Sequence, residues 1–275
     1  MIPAKFEYKR AGSVAEALSM LAEDPDETKL LAGGHSLLPL MKLRLAAPAV
    51  LVDVGRLSEL SYVREEGDQV AIGALTRHRD LEVSEVARLH APLLAHVAGQ
   101  VGDPQVRHRG TIGGSIAHGD PASDLPAAVL ALGGTLVAQG PAGSREIRAE
   151  DFFQGFLETA LAPEEMLTEI RVPKEGGGWS FQKFNRRAQD WAIVGVAAAV
   201  DGSARVALVN MGPTPLRARA TEDALAGGAA PADAAALAAE GLEPPDDLHA
   251  SADYRRHLAA VLVRRALEEA AAGAG

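Results

Sequence analysis

Cysteine is missing from all 275 residues of the chain. Without thiolates the chain can form no disulfides or zinc ribbons, and it can hold no cysteine-ligated iron–sulfur cluster. Any such cluster must therefore lie on another chain. The eight histidines show no HExxH or comparable spacing, so we predict no metal site.

Long apolar runs and an excess of basic residues are missing as well. No stretch reaches the roughly 18 uninterrupted apolar residues of a membrane span, and the N-terminal MIPAKFEYKR lacks the apolar core of a signal peptide. These absences predict a soluble, cytoplasmic protein. The formal net charge of −10 argues against a nucleic-acid partner, because such binding depends on clustered Lys and Arg.

The common catalytic and nucleotide-binding motifs are also absent. The sequence contains no GxSxG elbow, no Cys–His pair, no three-glycine dinucleotide fingerprint and no GK[ST] ending of a P-loop. We therefore expect a chain that holds a cofactor, with the chemistry supplied by that cofactor.

Two short glycine turns stand out among the features that are present. Paired glycines beside a hydroxyl residue let main-chain N–H groups converge on an anion, although a lone Gly-Gly pair is in most proteins a simple turn. Two such turns would suit a diphosphate. Their candidate binding residues are Ala32, Gly33, Gly34, His35 and Ser36 in the first turn, and Thr111, Gly114 and Ser115 in the second.

Two further residues each allow two interpretations. Asp124 comes directly before a helical run, so it fits an N-cap as well as an acceptor for ribose hydroxyls. Trp191 could stack on a planar ring, but a buried tryptophan at a strand edge is about twice as common.

The pattern of apolar residues predicts an α+β protein with two domains. The glycine-rich stretch after Pro173 is the best linker, so we place a first domain at 1–174, with subdomains of about 1–57 and 58–174, and a second at 179–275. Ser13 and Glu16 predict a capped helix over 14–23. Further predictions are a hairpin formed by LSYV and QVAIGA, helices over 76–96 with a break at Pro92, a loop through the 100s, and an antiparallel sheet after residue 178.

Three segments carry a family resemblance. LLAGGHSLLPLMKLR, DPQVRHRGTIGGSIAHGDPASDLP and ADYRRHLAAVLVRRALEEA closely resemble the FAD-binding medium subunit of the molybdenum hydroxylases, which include xanthine dehydrogenase and aerobic carbon monoxide dehydrogenase. The resemblance implies a two-part FAD-binding domain of the vanillyl-alcohol-oxidase (PCMH) type, followed by a small C-terminal α+β domain.

The resemblance also implies roles for individual residues. The FAD diphosphate would lie against residues 32–36 and 111–115, with Asp124 near the adenosine ribose. Leu167 would pack beside the flavin, and Lys183 and Trp191 would lie near the isoalloxazine. Two positions depart from the family: Ser115 stands where Asn is common, and Asp103 where His is frequent.

The implied function is electron transfer within a multisubunit dehydrogenase. A large molybdenum-cofactor subunit would oxidise the substrate, and a small subunit with two [2Fe–2S] clusters would relay electrons to the FAD held here. Carbon monoxide or an aldehyde is preferred as that substrate over a purine or another N-heterocycle. That FAD would reduce an external acceptor, and the complex would be a dimer of heterotrimers. The alternatives are a stand-alone flavin oxidase of the same fold, or a non-redox protein that binds some other phosphate ligand.

Overall fold

The N-terminal part of the computed structural model, which describes residues 2–273, contains a small parallel sheet. Its elements are β1 (Glu7–Arg10), α1 (Val14–Glu23), β2 (Thr28–Leu31), α2 (Leu37–Leu43) and β3 (Val50–Asp53). The strand order is β1-β3-β2, with both pairings parallel. The predicted helix over 14–23 is confirmed, and the Ser13 hydroxyl accepts the Glu16 N–H as its cap.

The middle of the chain combines a cluster of short helices with an antiparallel sheet of order β4-β5-β10-β6-β7. A separate two-stranded ribbon pairs β8 with β9. The elements, after a 3-10 turn at Ser58–Leu60, are β4 (Val63–Glu66), β5 (Gln69–Gly73), α3 (His78–Val83), α4 (Glu85–His90), α5 (Pro92–Gln100), α6 (Pro104–Arg109), α7 (Ile112–His118), α8 (Asp124–Leu132), β6 (Thr135–Gly140), β7 (Gly143–Arg148), α9 (Ala149–Phe152), β8 (Phe153–Gly155), β9 (Glu158–Thr159) and β10 (Met166–Pro173).

Two local predictions in this region are wrong. The first strand of the predicted hairpin begins at Val63, three residues later than LSYV suggests, because residues 58–60 form the 3-10 turn. The predicted loop through the 100s contains α6, since the Asp103 carboxylate accepts the Val106 N–H at 2.9 Å and Pro104 occupies the first helical position.

The C-terminal part is an antiparallel sheet with helices, as predicted. Its strand order is β11-β12-β13-β14. The elements are β11 (Gly178–Phe184), β12 (Val194–Asp201), β13 (Ser203–Val209), β14 (Leu216–Arg217), α10 (Arg219–Ala226), α11 (Pro231–Ala235) and α12 (Ala252–Ala271). Helix α12 packs on one face of this sheet and α8 on the other.

The main hydrophobic core crosses from the middle of the chain into the C-terminal sheet. Ala197 and Ala199 of β12 join the cluster that contains α8, whereas Val196 and Ala198 face the separate cluster beneath α12. This alternation is the two-residue period of a strand buried on both faces. The fold is α+β, as predicted. No helix within residues 2–273 is both long and apolar enough to cross a membrane.

Candidate functional site

A cavity of about 680 Å³ lies where the N-terminal, middle and C-terminal parts of the chain meet. Its walls include both glycine segments and the later part of the connection between β11 and β12. All twelve residues singled out from the sequence line it: Ala32, Gly33, Gly34, His35, Ser36, Thr111, Gly114, Ser115, Asp124, Leu167, Lys183 and Trp191. The fold thus brings together side chains up to 159 positions apart, from Ala32 to Trp191.

The first glycine segment follows β2 directly and presents free main-chain donors. Gly34 has φ +78°, a left-handed conformation that glycine adopts at little cost. No acceptor within residues 2–273 pairs with the N–H groups of residues 33–36. Successive unpaired N–H groups beside a left-handed residue form a concave site for an anion.

The second glycine segment differs from its predicted conformation. It is the first turn of α7, and its N–H groups are already bonded: Gly113 donates to the Ala74 carbonyl at 2.9 Å, and Gly114 donates to the Thr111 hydroxyl at 3.1 Å. A Cβ at Gly113 would lie 2.6 Å from that same Ala74 oxygen, so this glycine is required for packing. These N–H groups therefore bond within the chain, while Thr111, Gly114 and Ser115 line the cavity wall, and their contact with a diphosphate stays a prediction.

The two glycine segments contact each other through the backbone that precedes α7. A Cβ at Gly33 would lie 2.3 Å from the carbonyl oxygen of Arg109 and 2.9 Å from the Cα of Gly110. The guanidinium of Arg77 donates to the same Arg109 carbonyl, and the His78 N–H donates to the Gly110 carbonyl at 3.0 Å. Gly33 therefore fixes the distance between the two segments.

Two imidazoles on the cavity wall, His35 and His78, have lowered pKa values. Burial, with smaller contributions from His35, Arg107 and Arg77, lowers the pKa of His78 to about 4. Burial also lowers the pKa of His35, with a contribution from Arg109. The fixed positive charge beside the first glycine segment therefore belongs to the arginines, not to the histidines.

Asp124 and Lys183 form a buried ion pair on the cavity wall. The Lys183 ammonium donates to Asp124 Oδ2 at 2.7 Å and to the Gln100 carbonyl at 3.1 Å. Burial raises the pKa of Asp124 to about 6, although Lys183 opposes the shift. Oδ1 of Asp124 is buried without a hydrogen-bond partner in residues 2–273. The N-cap interpretation of Asp124 is wrong, because Ser123 occupies the cap position of α8.

This ion pair constrains the roles that the resemblance implied. The residues that the resemblance assigns to the adenosine ribose and to the isoalloxazine, Asp124 and Lys183, are in direct contact with each other.

Two hydrophobic side chains complete the predicted set. Leu167 is buried on β10. Trp191 is 59% exposed, so the interpretation as a buried strand-edge tryptophan is wrong.

Sequence reasoning missed His78 and Gln189, which also line the cavity. A lone histidine carries no local signal, and Gln189 is distinguished only by its φ of +65°.

Two family models cover almost the whole chain. Residues 4–175 match the FAD binding domain in molybdopterin dehydrogenase, and residues 179–270 match the CO dehydrogenase flavoprotein C-terminal domain. The chain belongs to the FAD-binding medium subunits of the molybdenum hydroxylases. It is similar to the carbon monoxide dehydrogenase medium chain of Hydrogenophaga pseudoflava, with 44% identity over 98% of both chains.

More distant medium subunits and a solved structure support the same assignment. The glyceraldehyde dehydrogenase medium chain of Sulfolobus acidocaldarius is 38% identical over 98% of this chain and 100% of its own length. A solved structure of carbon monoxide dehydrogenase from Hydrogenophaga pseudoflava, lacking the Mo-pyranopterin moiety of its cofactor, has a TM-score of 0.95 at 46% identity and covers 100% of both chains.

Family membership decides several expectations. It confirms FAD as the cofactor, the fold class and an oxidoreductase role, because the relatives are dehydrogenase subunits. The alternative of a non-redox phosphate-binding protein is therefore wrong.

Proposed function

We propose that this medium subunit accepts electrons from the [2Fe–2S] clusters of a small partner subunit and passes them through FAD to an external acceptor. The observation that carries the proposal is that one cavity combines free N–H donors, a buried ion pair and an exposed indole. When bound, FAD supplies the ability to take up two electrons and release them singly or together. The chain has no cysteine, so the clusters must belong to a partner.

The residues present fit such a cofactor. The free N–H groups of residues 33–36 would hold the diphosphate, and the guanidinium groups of Arg77 and Arg109 add positive charge nearby. At the second segment we assign the contact to the Ser115 side chain, which lines the cavity.

We assign the Asp124–Lys183 pair to the flavin part of the dinucleotide. Lys183 lies on β11, the strand that leads into the segment carrying Trp191, and Leu167 lines the same cavity. The unpaired Oδ1 of Asp124 would accept a hydrogen bond from a cofactor hydroxyl, which would satisfy a buried polar atom. The Lys183 ammonium, held by Asp124, would stabilise negative charge on the reduced ring.

The domain organisation and the assembly are part of the same proposal. We place the domain boundary between residues 174 and 179, where β10 ends and β11 begins. The partners are a small iron–sulfur subunit and a large molybdenum-cofactor subunit, arranged as a dimer of heterotrimers. The names of the relatives support carbon monoxide as the first substrate to test and an aldehyde as the second.

Anaerobic reduction of the purified complex tests this function. Carbon monoxide should bleach the flavin absorbance of the three-subunit complex and leave the flavin of the isolated medium subunit unchanged. Bleaching by glyceraldehyde and not by carbon monoxide would make an aldehyde the substrate and leave the proposed electron path unchanged. Reduction of the isolated subunit by either substrate would refute the path and favour the stand-alone flavin oxidase.

A further inference from the structure

Two side chains outside the cavity hold the segment that carries Trp191. We propose that Asn210 and Arg255 are positioning residues, which fix residues 185–193 (the Trp191 segment) so that the indole lies against the bound flavin. The flavin part of this inference rests on the proposed function. The anchoring part rests on contacts within the chain alone.

The Trp191 segment connects β11 to β12 and is anchored at its C-terminal end. Gln189 and Trp191 lie on the cavity wall, whereas the next two residues, Ala192 and Ile193, are buried. The Asn210 side-chain amide donates to the Ala192 carbonyl at 2.9 Å, and the guanidinium of Arg255 donates to the Ile193 carbonyl. Two consecutive carbonyls directly after the tryptophan are thus held by side chains from elsewhere in the fold.

Asn210 connects two walls of the cavity. Its main-chain N–H donates at 2.8 Å to the carbonyl of Pro121, three residues before Asp124, while its side chain holds Ala192. Asn210 has φ +62°, a left-handed conformation uncommon for residues other than glycine, though Asn tolerates it better than most. This backbone conformation is what lets one residue bond both stretches of chain.

Arg255 is a charged residue inside the hydrophobic cluster beneath α12. Its side chain is 0% exposed, and its guanidinium is shared between the Ile193 carbonyl and Asp247 Oδ2, the latter at 2.7 Å. The N–H groups of His249 and Ala250 fix Asp247 in turn, through Oδ1. The two terminal nitrogens are paired with these acceptors, whereas Nε is buried without a partner in residues 2–273. A buried cation is costly when its donors are unpaired, so losing either acceptor would leave a further donor unpaired.

The exposed part of the segment has only local side-chain bonds among the described residues. Arg187 pairs with Asp190 at 3.1 Å, and Asp190 accepts the Trp191 N–H at 3.0 Å. Both contacts lie within the segment, so they do not fix its position relative to the rest of the protein. The position of the indole is therefore set by the anchored residues that follow it.

The variant Asn210→Gly tests the hydrogen bond from the Asn210 side chain to the Ala192 carbonyl. Glycine keeps the left-handed φ and the N–H to Pro121, so the variant loses only the contact with Ala192. The first measurement is trypsin cleavage at Arg186 and Arg187, inside the Trp191 segment, in the FAD-loaded complex. We expect cleavage about fivefold faster, because loss of one net hydrogen bond shifts a local opening equilibrium by about that factor. Ser203→Gly, at an exposed position of β13, is the matched control and should be cleaved at the wild-type rate.

The second measurement is quenching of Trp191 fluorescence by the flavin in the FAD-loaded medium subunit, in a Trp179→Phe background that leaves one tryptophan in this chain. Asn210→Gly should reduce the quenching. Asn210→Asp, which sets a carboxylate oxygen against the Ala192 carbonyl, should reduce it further. Arg255→Lys keeps the positive charge beside Asp247 but lacks the planar guanidinium that donates to two acceptors at once. This variant should therefore also be cleaved faster by trypsin than the wild type. If that variant fails to fold, the two Asn210 variants still decide the matter.

The two measurements separate the two parts of the inference. Wild-type cleavage rates in both Asn210 variants would overturn the anchoring. Faster cleavage with unchanged quenching would support the anchoring and overturn the placement of Trp191 against the flavin. A wild-type complex without FAD would refute the proposed function, while the cleavage rates would still test the anchoring.

Discussion

Replacing Glu175 by glutamine should stabilise the protein at neutral pH. Glu175 lies in the connection between β10 and β11, where its Oε1 accepts the Leu93 N–H at the start of α5 at 3.1 Å. Its Oε2 is buried with no hydrogen-bond partner in residues 2–273. Burial raises the pKa of this carboxyl to about 8, although the Leu93 N–H and Arg205 oppose the shift.

The size and sign of the effect follow from proton linkage. The pKa is 4.5 in the unfolded chain and about 8 in the folded one, so between these values the folded state binds more protons. Protonation of Glu175 therefore contributes its full amount to the free energy of unfolding below pH 4.5, and this contribution is lost as the pH rises towards 8. At about 1.4 kcal/mol per pH unit, the free energy of unfolding falls by about 3 kcal/mol by pH 7. Glutamine keeps the oxygen that accepts the Leu93 N–H and does not ionise.

Urea unfolding of the wild type and Glu175→Gln at two pH values measures this effect. We expect the variant to be more stable by about 1 kcal/mol at pH 5 and by about 3 kcal/mol at pH 7. Glu243→Gln, at an exposed position, should change stability by the same small amount at both pH values. A gain from Glu175→Gln that does not grow between pH 5 and pH 7 would refute the reasoning.

Two further predictions concern the cavity walls. Lys183→Met leaves the buried Asp124 carboxylate without its partner and should lower the free energy of unfolding in urea by about 3 kcal/mol. Adding Asp124→Leu should recover most of that loss. An equal loss in the double variant would contradict a buried ion pair. Gly33→Ala should yield protein without FAD, measured by the flavin-to-protein absorbance ratio, because its Cβ would lie 2.3 Å from the Arg109 carbonyl oxygen. The control variant Gly176→Ala should keep FAD, because its Cβ would have no neighbour nearer than 3.6 Å. Equal FAD occupancy in the two variants would count against the role of Gly33.

Local signals predicted the elements whose causes are local. The cap at Ser13, the proline at the first position of α5 and the left-handed Gly133 that ends α8 each act within a few residues. The pair Asp103-Pro104 at the start of α6 is a signal of the same kind, an N-cap followed by a proline at the first helical position.

The contacts that build the site could not be predicted in the same way. Asp124 and Lys183 are 59 positions apart, and nothing near either residue indicates the other. Gly113 of the second segment packs against Ala74, a contact that only the tertiary structure reveals. The motifs and the resemblance supplied the candidate residues, and the folded chain shows that Asp124 and Lys183 touch.

The continuous core described above has a practical consequence for dissecting this subunit. Helix α8 is covered by β12 and β13, so a fragment ending at Pro173 would expose that helix face to water. The remainder, from Gly178 onward, would expose the matching face of its sheet. Such uncovered apolar surfaces promote aggregation. Although two family models divide the polypeptide, expression trials should keep it whole.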